Sequence, residues 1–415
     1  MRFLYTFLWY VATPLILLRL MWRARRQREY LRHVGERFGF YDGAVVPGPL
    51  LWVHAVSVGE TRAAEPLINV LQQRYPQHRI LLTHMTPTGR ETGVALFADR
   101  VTRCYLPYDY PGAVARFLGR FKPAAGVLME TEVWPNLIHA AANRDIPLYL
   151  INARLSERSL RGYQRSGALA RDAIRGFRAI AAQSAGDAAR LQTLGAERVS
   201  ITGNLKFDLE VPAAQIEQGK ALRLALGTRP VLLAASTREG EEALLLDAAQ
   251  RAGLRDALLV IVPRHPQRFD EVAALITARG LRLQRRSAGE PVAADTAVLL
   301  GDSMGEMFIY YAACDVVLMG GSFLSYGAHS LIEPCALGRP VIIGPSTYNF
   351  AEAAAAAVAA GAAIRVNDLA EALTRALQLA ADPQRAQRMG DAGLAFTAAH
   401  RGATQRVLAL LDISK

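Results

Sequence analysis

The sequence predicts an α/β protein with two doubly wound domains in series, and three observations support this prediction. A chain of 415 residues exceeds the size at which a single hydrophobic core normally stops growing. Short apolar runs bounded by turn residues alternate with helical, often Ala-rich segments through most of the chain. A polar, periodic helix that contains residues 215–226 separates the alternation into two halves.

Each half of the chain contains five apolar runs that predict strands. The first five are LLWVHAVSV from Leu50, RILLTHMT from Arg79, AAGVLMET from Ala124, LYLINAR from Leu148 and AIAAQS from Ala179. The second five are PVLLAAST from Pro230, LLVIVPRH from Leu258, TAVLLGDS from Thr296, VVLMGGSF from Val316 and PVIIGPST from Pro340. We therefore expect a Rossmann-like domain over residues 23–208, a linker over 209–228 and a second Rossmann-like domain over 229–415. In open sheets of this kind, ligands bind at the carboxyl ends of the strands.

Residues 1–22 predict a helix that anchors the chain to a membrane. Their apolar run, of about 20 residues, matches the hydrocarbon core of a bilayer in length. Arg19 is the only charge within residues 3–22, and residues 1–40 carry eight arginines against two glutamates. The positive-inside rule then places the rest of the chain in the cytoplasm, beside the inner-membrane lipid. A cleaved signal peptide would carry its charge before the apolar run, whereas a helix that lies in the interface remains an alternative because of Pro14.

The segment after the apolar run predicts a basic amphipathic helix, because apolar and basic residues alternate there at helical spacing. These residues are Tyr30, Leu31, Arg32, His33, Val34, Arg37 and Phe38. Two roles stay open for this helix, a solvated surface face and the docking of lipid or of an anionic substrate. The net charge of +11 could indicate nucleic acid, but much of the excess lies near the N-terminus and no nucleic-acid-binding motif occurs. Nucleic acid is therefore not an expected partner, and three scattered cysteines fit neither a disulfide framework nor a metal site.

Eleven motifs follow one another along the chain and carry a family resemblance. They are HAVSVGE at His54, THMTPTGRE at Thr83, LPYD at Leu106, METEVWPN at Met129, NARLSERS at Asn152, TGNLKFD at Thr202, ASTREGEE at Ala235, VPRHPQRF at Val262, GDSMGEM at Gly301, GGSFLSYGAHSLIEP at Gly320 and GPSTYNF at Gly344. Together they resemble the 3-deoxy-D-manno-octulosonic acid (Kdo) transferases of lipopolysaccharide synthesis. The resemblance implies a GT-B fold, in which two Rossmann-like domains face a central crevice. It also implies a CMP-Kdo donor, a lipid A precursor (lipid IVA) as acceptor, and an inverting reaction that needs no metal or other cofactor.

Three charged residues at expected strand ends can carry the chemistry. Glu60 lies at a strand-to-helix turn, where a carboxylate can act as a base or can simply interact with the helix dipole. The residues alone leave both roles open, and the resemblance implies that Glu60 is the proton acceptor. For Glu130 and Lys206 the resemblance implies stabilisation of the transition state, by facing the cationic sugar and the leaving phosphate. An ordinary ion pair is the alternative for these two residues.

Three further segments are expected to bind CMP by the same resemblance. Their residues are Pro263, Arg264, Met304, Gly305, Glu306, Ser330, Leu331, Ile332 and Glu333. Arg264 offers a planar fork for phosphate or carboxylate, and the helix entry at Ser330 offers free amides for phosphate. Gly305 allows close backbone approach, although it could also be only a turn before a helix. Glu333 is expected to hold the ribose hydroxyls.

The chain departs from the family at Gly327–Ser330, where the family usually has Gly-Gly-His-Asn. Ser330 can cap the following helix but lacks the paired donor and acceptor of an amide, and Ala328 matters only if the backbone has positive φ there. His54 and His329 are expected to be structural. Two other functions are possible on this scaffold, a sugar-nucleotide epimerase and a non-enzymatic lipid-binding protein. The anchor argues against the first, and the carboxylates at the strand ends argue against the second.

Overall fold

The computed structural model describes residues 1–25, 27–43, 48–254 and 256–413. These residues form two compact units. Unit 1 contains Met1–Leu209 together with the C-terminal segment that begins at Arg401, and unit 2 contains Glu210–His400. Within the described residues, each unit has a seven-stranded parallel sheet flanked by helices, which confirms the predicted α/β class with two Rossmann-like domains.

The sheet of unit 1 has the strand order β3-β2-β1-β4-β5-β6-β7. Its strands are β1 (Leu50–His54), β2 (Arg79–His84), β3 (Val101–Tyr105), β4 (Ala125–Met129), β5 (Leu148–Ala153), β6 (Ala179–Ala182) and β7 (Val199–Ile201). Its helices up to the end of β7 are α1 (Arg2–Ala24), α2 (Val58–Arg74), α3 (Pro87–Phe97), α4 (Pro111–Phe121), α5 (Pro135–Ala142), α6 (Glu157–Arg165), α7 (Ala168–Arg175) and α8 (Ala185–Thr193). Strands β1, β4 and β5 are buried at every position, as expected for a parallel sheet covered on both faces.

The sheet of unit 2 has the strand order β10-β11-β9-β8-β12-β13-β14. Its strands are β8 (Val231–Thr237), β9 (Leu258–Pro263), β10 (Leu283–Arg285), β11 (Val298–Leu300), β12 (Val316–Met319), β13 (Val341–Ile343) and β14 (Ala363–Arg365). Its helices are α9 (Ala213–Ala225), α10 (Glu241–Ala252), α11 (Phe269–Thr277), α12 (Met307–Ala313), α13 (Ile332–Ala336), α14 (Ala351–Ala359), α15 (Leu369–Ala380) and α16 (Pro383–His400). In both sheets the strand order reverses in the centre, beside β1 in one and β8 in the other, and such switch points are where ligands bind.

The second expected domain, residues 229–415, differs from unit 2 at both ends. The chain returns to unit 1 at Arg401, and helix α17 (Ala403–Leu410) buries Ala403, Val407 and Leu408 in the core of unit 1. At the other end, most of the expected linker 209–228 is helix α9, which packs on α12 of unit 2. A pattern of apolar residues marks these helices but does not show which core they join.

Helix α1 is long and apolar enough to cross a membrane, by length and composition alone. One of its sides contacts the rest of unit 1, because the Thr13 Oγ1 atom lies 2.8 Å from the Tyr110 hydroxyl and the Trp9 ring stacks on Tyr108. The other side exposes large apolar side chains, namely Phe3, Leu4, Phe7, Leu8, Val11, Leu15 and Leu18. Helix α1 therefore exposes one apolar side while its other side is fixed to the rest of unit 1.

The prediction of a basic amphipathic helix around residues 30–38 is wrong. Arg28–Leu31 and Val34–Phe38 are short 3-10 helices, and His33 between them has a φ of 56°, in the left-handed region where an α-helix cannot continue. Arg37 is only 1% exposed, and its guanidinium lies 4.0 Å from the centre of the Tyr105 ring. Arg37 is thus part of the core of unit 1 and does not face lipid.

Candidate active site

Glu60 lies in the first turn of α2, directly after β1. Its Oε2 atom accepts a hydrogen bond from the Val56 amide at 2.9 Å, and its Oε1 atom accepts one from the Ser57 hydroxyl at 3.1 Å. Ser57 is the N-cap residue of α2. The carboxylate therefore satisfies groups at the start of the helix, as the capping alternative requires, and these bonds fix its position at the carboxyl end of β1.

The surroundings of Glu60 raise its pKa from 4.5 to about 7. Burial is the largest cause, followed by the negative charge of Glu130, and Glu132 acts in the same direction. The hydrogen bond from Val56 and the nearby His54 oppose the shift. A carboxyl group with a pKa near the working pH can accept a proton and release it again, which is the property of a general base.

Glu130 follows β4 and is 6% exposed, and its backbone has a φ of 57°. Its Oε1 atom lies 3.1 Å from the Lys206 Nζ atom, and its Oε2 atom lies 3.0 Å from the Arg154 Nε atom. Glu130 and Lys206 thus form an ion pair, which was the alternative to a catalytic role for these two residues. Arg154 is a second cation beside Glu130. A buried carboxylate with a cation at each oxygen is a preorganised set of opposite charges.

Asn152 holds the segment that carries Lys206. It lies in β5 with a φ of 49°, where the register between β5 and β6 shifts. Its Oδ1 atom accepts a hydrogen bond from the Leu205 amide at 3.0 Å, and its carbonyl oxygen accepts one from the Gln183 side chain at 2.8 Å. The backbone of β5 is therefore shaped to fix the loop after β7, on which Lys206 lies.

His54 is fully buried and bonded on the side of Thr83, with its Nδ1 atom 2.8 Å from the Thr83 hydroxyl. Its Nε2 atom lies 3.5 Å from Glu132, which also accepts a hydrogen bond from the Trp134 indole at 2.7 Å. The bond to Thr83 suits the structural role expected for His54, whereas its Nε2 atom makes no hydrogen bond to another described residue. Neither Glu132 nor Arg154 was expected from the sequence, although Glu132 lies two positions after Glu130 and Arg154 lies two positions after Asn152.

In unit 2, Pro263 ends β9 and Arg264 follows it. The Arg264 amide donates to the Thr237 carbonyl at 3.0 Å, which ties the ends of β8 and β9 together. Burial, and then the positive charges of Arg264 and Arg238, lower the pKa of His329 to about 3. His329 is therefore neutral at neutral pH, and Arg264 and Arg238 lie close enough to contribute to this shift after burial.

Arg238 is a residue that the sequence analysis missed. It follows β8, its Nη1 atom lies 2.9 Å from the His265 Nε2 atom, and its guanidinium lies 4.6 Å from the centre of the Tyr326 ring. Its backbone amide donates to the buried carboxylate of Glu241 at 2.9 Å. Arg238 and Arg264 together place two guanidinium groups at the carboxyl end of the unit 2 sheet, which suits an anionic ligand.

Met304, Gly305 and Glu306 form the turn between β11 and α12. Met304 is 61% exposed and Gly305 has a φ of 82°, so the turn needs the conformational freedom of glycine. The Glu306 carboxylate accepts hydrogen bonds from the Ser303 hydroxyl at 2.5 Å and from the Arg286 Nε atom at 3.3 Å. Gly305 thus lies in a turn before a helix, and that turn is accessible to a ligand.

The expectation that Ser330 caps the next helix is wrong. Helix α13 begins at Ile332, and its N-cap is Leu331, which makes no side-chain capping bond. The side chains of Leu331 and Ile332 are fully buried, so only their backbone groups can reach a ligand. Ala328 has a φ of 65°, which is the positive value that made its replacement of glycine matter.

The predicted residues form two sets, each at the carboxyl end of the sheet in its own unit. Glu60, Glu130 and Lys206 follow β1, β4 and β7 of unit 1. The CMP-binding candidates Pro263 to Glu333 follow β9, β11 and β12 of unit 2. Among the described residues, no group of three or more His, Cys, Asp or Glu side chains is arranged to hold a metal ion.

Comparison with known proteins gives one family. Residues 32–209 match the family described as 3-Deoxy-D-manno-octulosonic-acid transferase (kdotransferase). A 3-deoxy-D-manno-octulosonic acid transferase of Bordetella pertussis is 48% identical over 427 residues, covering 99% of this chain and 99% of that protein. A 3-deoxy-D-manno-octulosonic acid transferase of Haemophilus influenzae is 40% identical over 417 residues, covering 99% of this chain and 98% of that protein.

Among solved structures, the UDP-GlcNAc 2-epimerase of Neisseria meningitidis bound to UDP-GlcNAc superposes with a TM-score of 0.56 at 16% identity. The match covers 87% of this chain and 99% of that chain, and at this identity it shows the fold alone. The fold and the relatives define the class, a glycosyltransferase of the GT-B type. Within that class, the chain belongs to the 3-deoxy-D-manno-octulosonic acid transferase family.

Proposed function

We propose that the protein transfers Kdo from CMP-Kdo to a lipid A precursor such as lipid IVA, a step of lipopolysaccharide biosynthesis. The reaction inverts the anomeric centre and needs no metal ion. The names of the relatives support the sugar that is transferred. The proposal rests on one observation at Glu60. Its pKa of about 7 and its fixed position beside Glu130 suit a general base.

In the proposed reaction, Glu60 accepts the proton of an acceptor hydroxyl while the oxygen of that hydroxyl attacks the anomeric carbon of Kdo. The bond from this carbon to the phosphate oxygen breaks, and CMP leaves with the electron pair. Because the attack and the departure occur on opposite faces of the sugar, a single displacement inverts the centre. Glu60 thus supplies the step that a sugar hydroxyl cannot carry out unaided at neutral pH.

Glu130 and Lys206 stabilise the charges that develop in this displacement. The Glu130 carboxylate faces the oxocarbenium-like sugar, and Lys206 neutralises the phosphate of CMP or the carboxylate of Kdo. Their separation of 3.1 Å supports this assignment, because opposite charges must lie close together at the breaking bond. Arg154, on the other oxygen of Glu130, is a second cation that holds this carboxylate in place.

Unit 2 binds CMP-Kdo through the residues that follow its central strands. Arg264 holds the phosphate, and Pro263 and the backbone at Met304 and Gly305 contact the nucleotide. The remaining nucleotide contacts are Glu306, Ser330, Leu331, Ile332 and Glu333, with Glu333 at the ribose hydroxyls. The basic surroundings of His329 support the position of the phosphate.

Replacing Arg264 tests the donor site. We expect Arg264→Ala to raise the Kd for CMP by about 10- to 100-fold, as for the loss of a hydrogen bond to a charged group. Cytidine lacks the phosphate, so its Kd should stay unchanged, and both constants are measured by calorimetry. Arg388→Ala, which removes an exposed arginine on α16, is the matched control. Equal weakening of CMP and cytidine binding would show that Arg264 does not act on the phosphate.

Unit 1 receives the acceptor, and α1 anchors the protein to the inner membrane with both units on the cytoplasmic side. The exposed apolar side of α1 supports this location, since a lipid A precursor is itself held in a membrane. Arginines just after α1 suit the anionic headgroups of the cytoplasmic leaflet.

The whole proposal is tested by incubating the purified full-length protein in detergent with CMP-Kdo and lipid IVA. Mass spectrometry of the lipid should show the addition of Kdo with release of CMP, and it should do so in the presence of EDTA. No Kdo adduct on lipid IVA would contradict the proposed function. Release of free Kdo or an altered nucleotide sugar without a lipid product would instead indicate a hydrolase or an epimerase.

A further inference from the structure

The segment that carries Lys206 is a short 3-10 helix, Leu205–Asp208, at the point where the chain leaves unit 1. Two hydrogen bonds fix the start of this segment. The Leu205 amide donates to the Asn152 side chain at 3.0 Å, and the Lys206 amide donates to the Asn204 side chain at 3.0 Å. Both bonds are made by the amides of Leu205 and Lys206. Another contact must therefore hold the end of the segment, after Lys206.

Asp208 provides that contact. One of its carboxylate oxygens accepts a hydrogen bond from the Gly402 amide at 2.6 Å, and the other accepts one from the Thr404 amide at 2.5 Å. Gly402 is the N-cap of α17, so these amides have no partner within the helix and point toward the carboxylate. A negative charge at a helix N-terminus is further stabilised by the helix dipole.

Helix α17 is a fixed support and not a loose tail. Ala403 and Val407 are fully buried in the core of unit 1. The Arg406 Nε atom also donates to the carbonyl oxygen of Thr202 at 2.7 Å, which fixes the same loop from its other end. The loop from Thr202 to Asp208 is therefore attached to α17 at both of its ends.

We propose that Asp208 is a positioning residue for Lys206. By binding the N-terminus of α17 it fixes the 3-10 helix so that the Lys206 Nζ atom stays beside Glu130. It also joins the segment that leaves unit 1 after Leu209 to the segment that returns at Arg401. This inference rests on the transition-state role proposed for Lys206.

The alternative is that Asp208 only stabilises the fold. The two possibilities differ in how the effects of mutations combine, because a residue that acts through Lys206 has nothing left to position when Lys206 is gone. The test is therefore a double-mutant cycle with Asp208→Asn, Lys206→Met and the double variant. The full-length proteins are compared by kcat and KM for Kdo transfer to lipid IVA.

We expect Asp208→Asn to lower kcat about tenfold, with KM for CMP-Kdo changed by less than about twofold, because only an interaction of the transition state is lost. In the Lys206→Met background, which is itself about 100-fold slower, Asp208→Asn should cause no further decrease in kcat. Asp208→Asn is the mildest change available, since the amide keeps one acceptor oxygen while it loses the charge.

Asp368→Asn is the matched control for the same change at a helix N-terminus. Asp368 is the N-cap of α15 in unit 2 and accepts a hydrogen bond from the Glu371 amide at 2.8 Å. We expect this variant to leave kcat unchanged and to change the melting temperature little, because Asn is about as good an N-cap as Asp. If Asp208→Asn cannot be purified, Arg406→Ala removes the bond to Thr202 and serves in the same cycle, again with no additional effect in the Lys206→Met background.

Two results would overturn the inference: an unchanged kcat for Asp208→Asn, or an effect of equal size with and without Lys206. A wild-type protein that forms no Kdo adduct would contradict the proposed function instead, so the two failures are distinguishable.

Discussion

Two helices of this protein begin with the same arrangement of residues, one in each unit. In α2, the N-cap is Ser57, and Glu60 three positions later accepts a hydrogen bond from the Val56 amide at 2.9 Å. In α15, the N-cap is Asp368, and Glu371 three positions later accepts a hydrogen bond from the Asn367 amide at 3.1 Å. As helix caps, the two glutamates are equivalent.

The surroundings of the two glutamates differ. Glu371 also accepts a hydrogen bond from the side-chain amide of Asn367 at 3.0 Å, and Arg375 lies 3.7 Å from its other oxygen. Glu60 instead lies in a partly buried position where the charge of Glu130 helps to raise its pKa to about 7. A capping position therefore fixes a carboxylate in space, and burial together with the neighbouring charges decides whether that carboxylate can also act as a base.

Replacing each glutamate by glutamine gives the largest expected difference. Glutamine keeps an oxygen for the backbone amide but cannot accept a proton, so Glu60→Gln should lower kcat by about 10²- to 10⁴-fold. Glu371→Gln makes the same change at the equivalent cap and should leave kcat within about twofold of wild type. Both are measured as initial rates of Kdo transfer to lipid IVA. Similar rates for the two variants would show that Glu60 is only a helix cap and not the base.

The same pair of variants is expected to differ in stability, with a smaller effect. Folding raises the pKa of Glu60 from 4.5 to about 7, so its contribution to stability is fully present below pH 4.5 and is lost as the pH rises through 7. At pH 8 the ionised, partly buried Glu60 is therefore unfavourable, and Glu60→Gln should be more stable than wild type by on the order of 1 kcal/mol. Thermal unfolding at pH 5 and pH 8 measures the difference. Glu371→Gln should show no such gain at pH 8, and neither should Glu60→Gln at pH 5.

Much of the fold could be predicted from the sequence because the ten expected strands are short apolar runs that become largely buried, whereas the more exposed strands β7, β10 and β14 lack such a run. The positions of Glu60 and Glu130 could be predicted for the same reason, since each lies just after such a run. The packing of α17 on unit 1 could not be predicted, because its apolar face would fit either core equally well.

The partners of the site residues also could not be predicted. Glu130 and Asn152 have positive φ, which a sequence does not reveal for residues other than glycine, and this conformation directs their side chains toward Lys206, Arg154 and Leu205. Arg37 shows the same limit. Its place in a basic, helix-like pattern predicted a residue on a face open to solvent or to an anionic partner, whereas stacking on Tyr105 buries it.

The pH dependence of kcat/KM for Kdo transfer, measured for the wild type and for Glu130→Gln, tests most directly whether Glu60 is the base. If Glu60 is the base, the wild-type value should fall about tenfold per pH unit below a midpoint near 7 and level off above it. Removing the charge of Glu130 should move this midpoint to lower pH, because that charge raises the pKa of Glu60. A wild-type profile that is flat between pH 5 and pH 8, or a midpoint that Glu130→Gln leaves unchanged, would contradict the account.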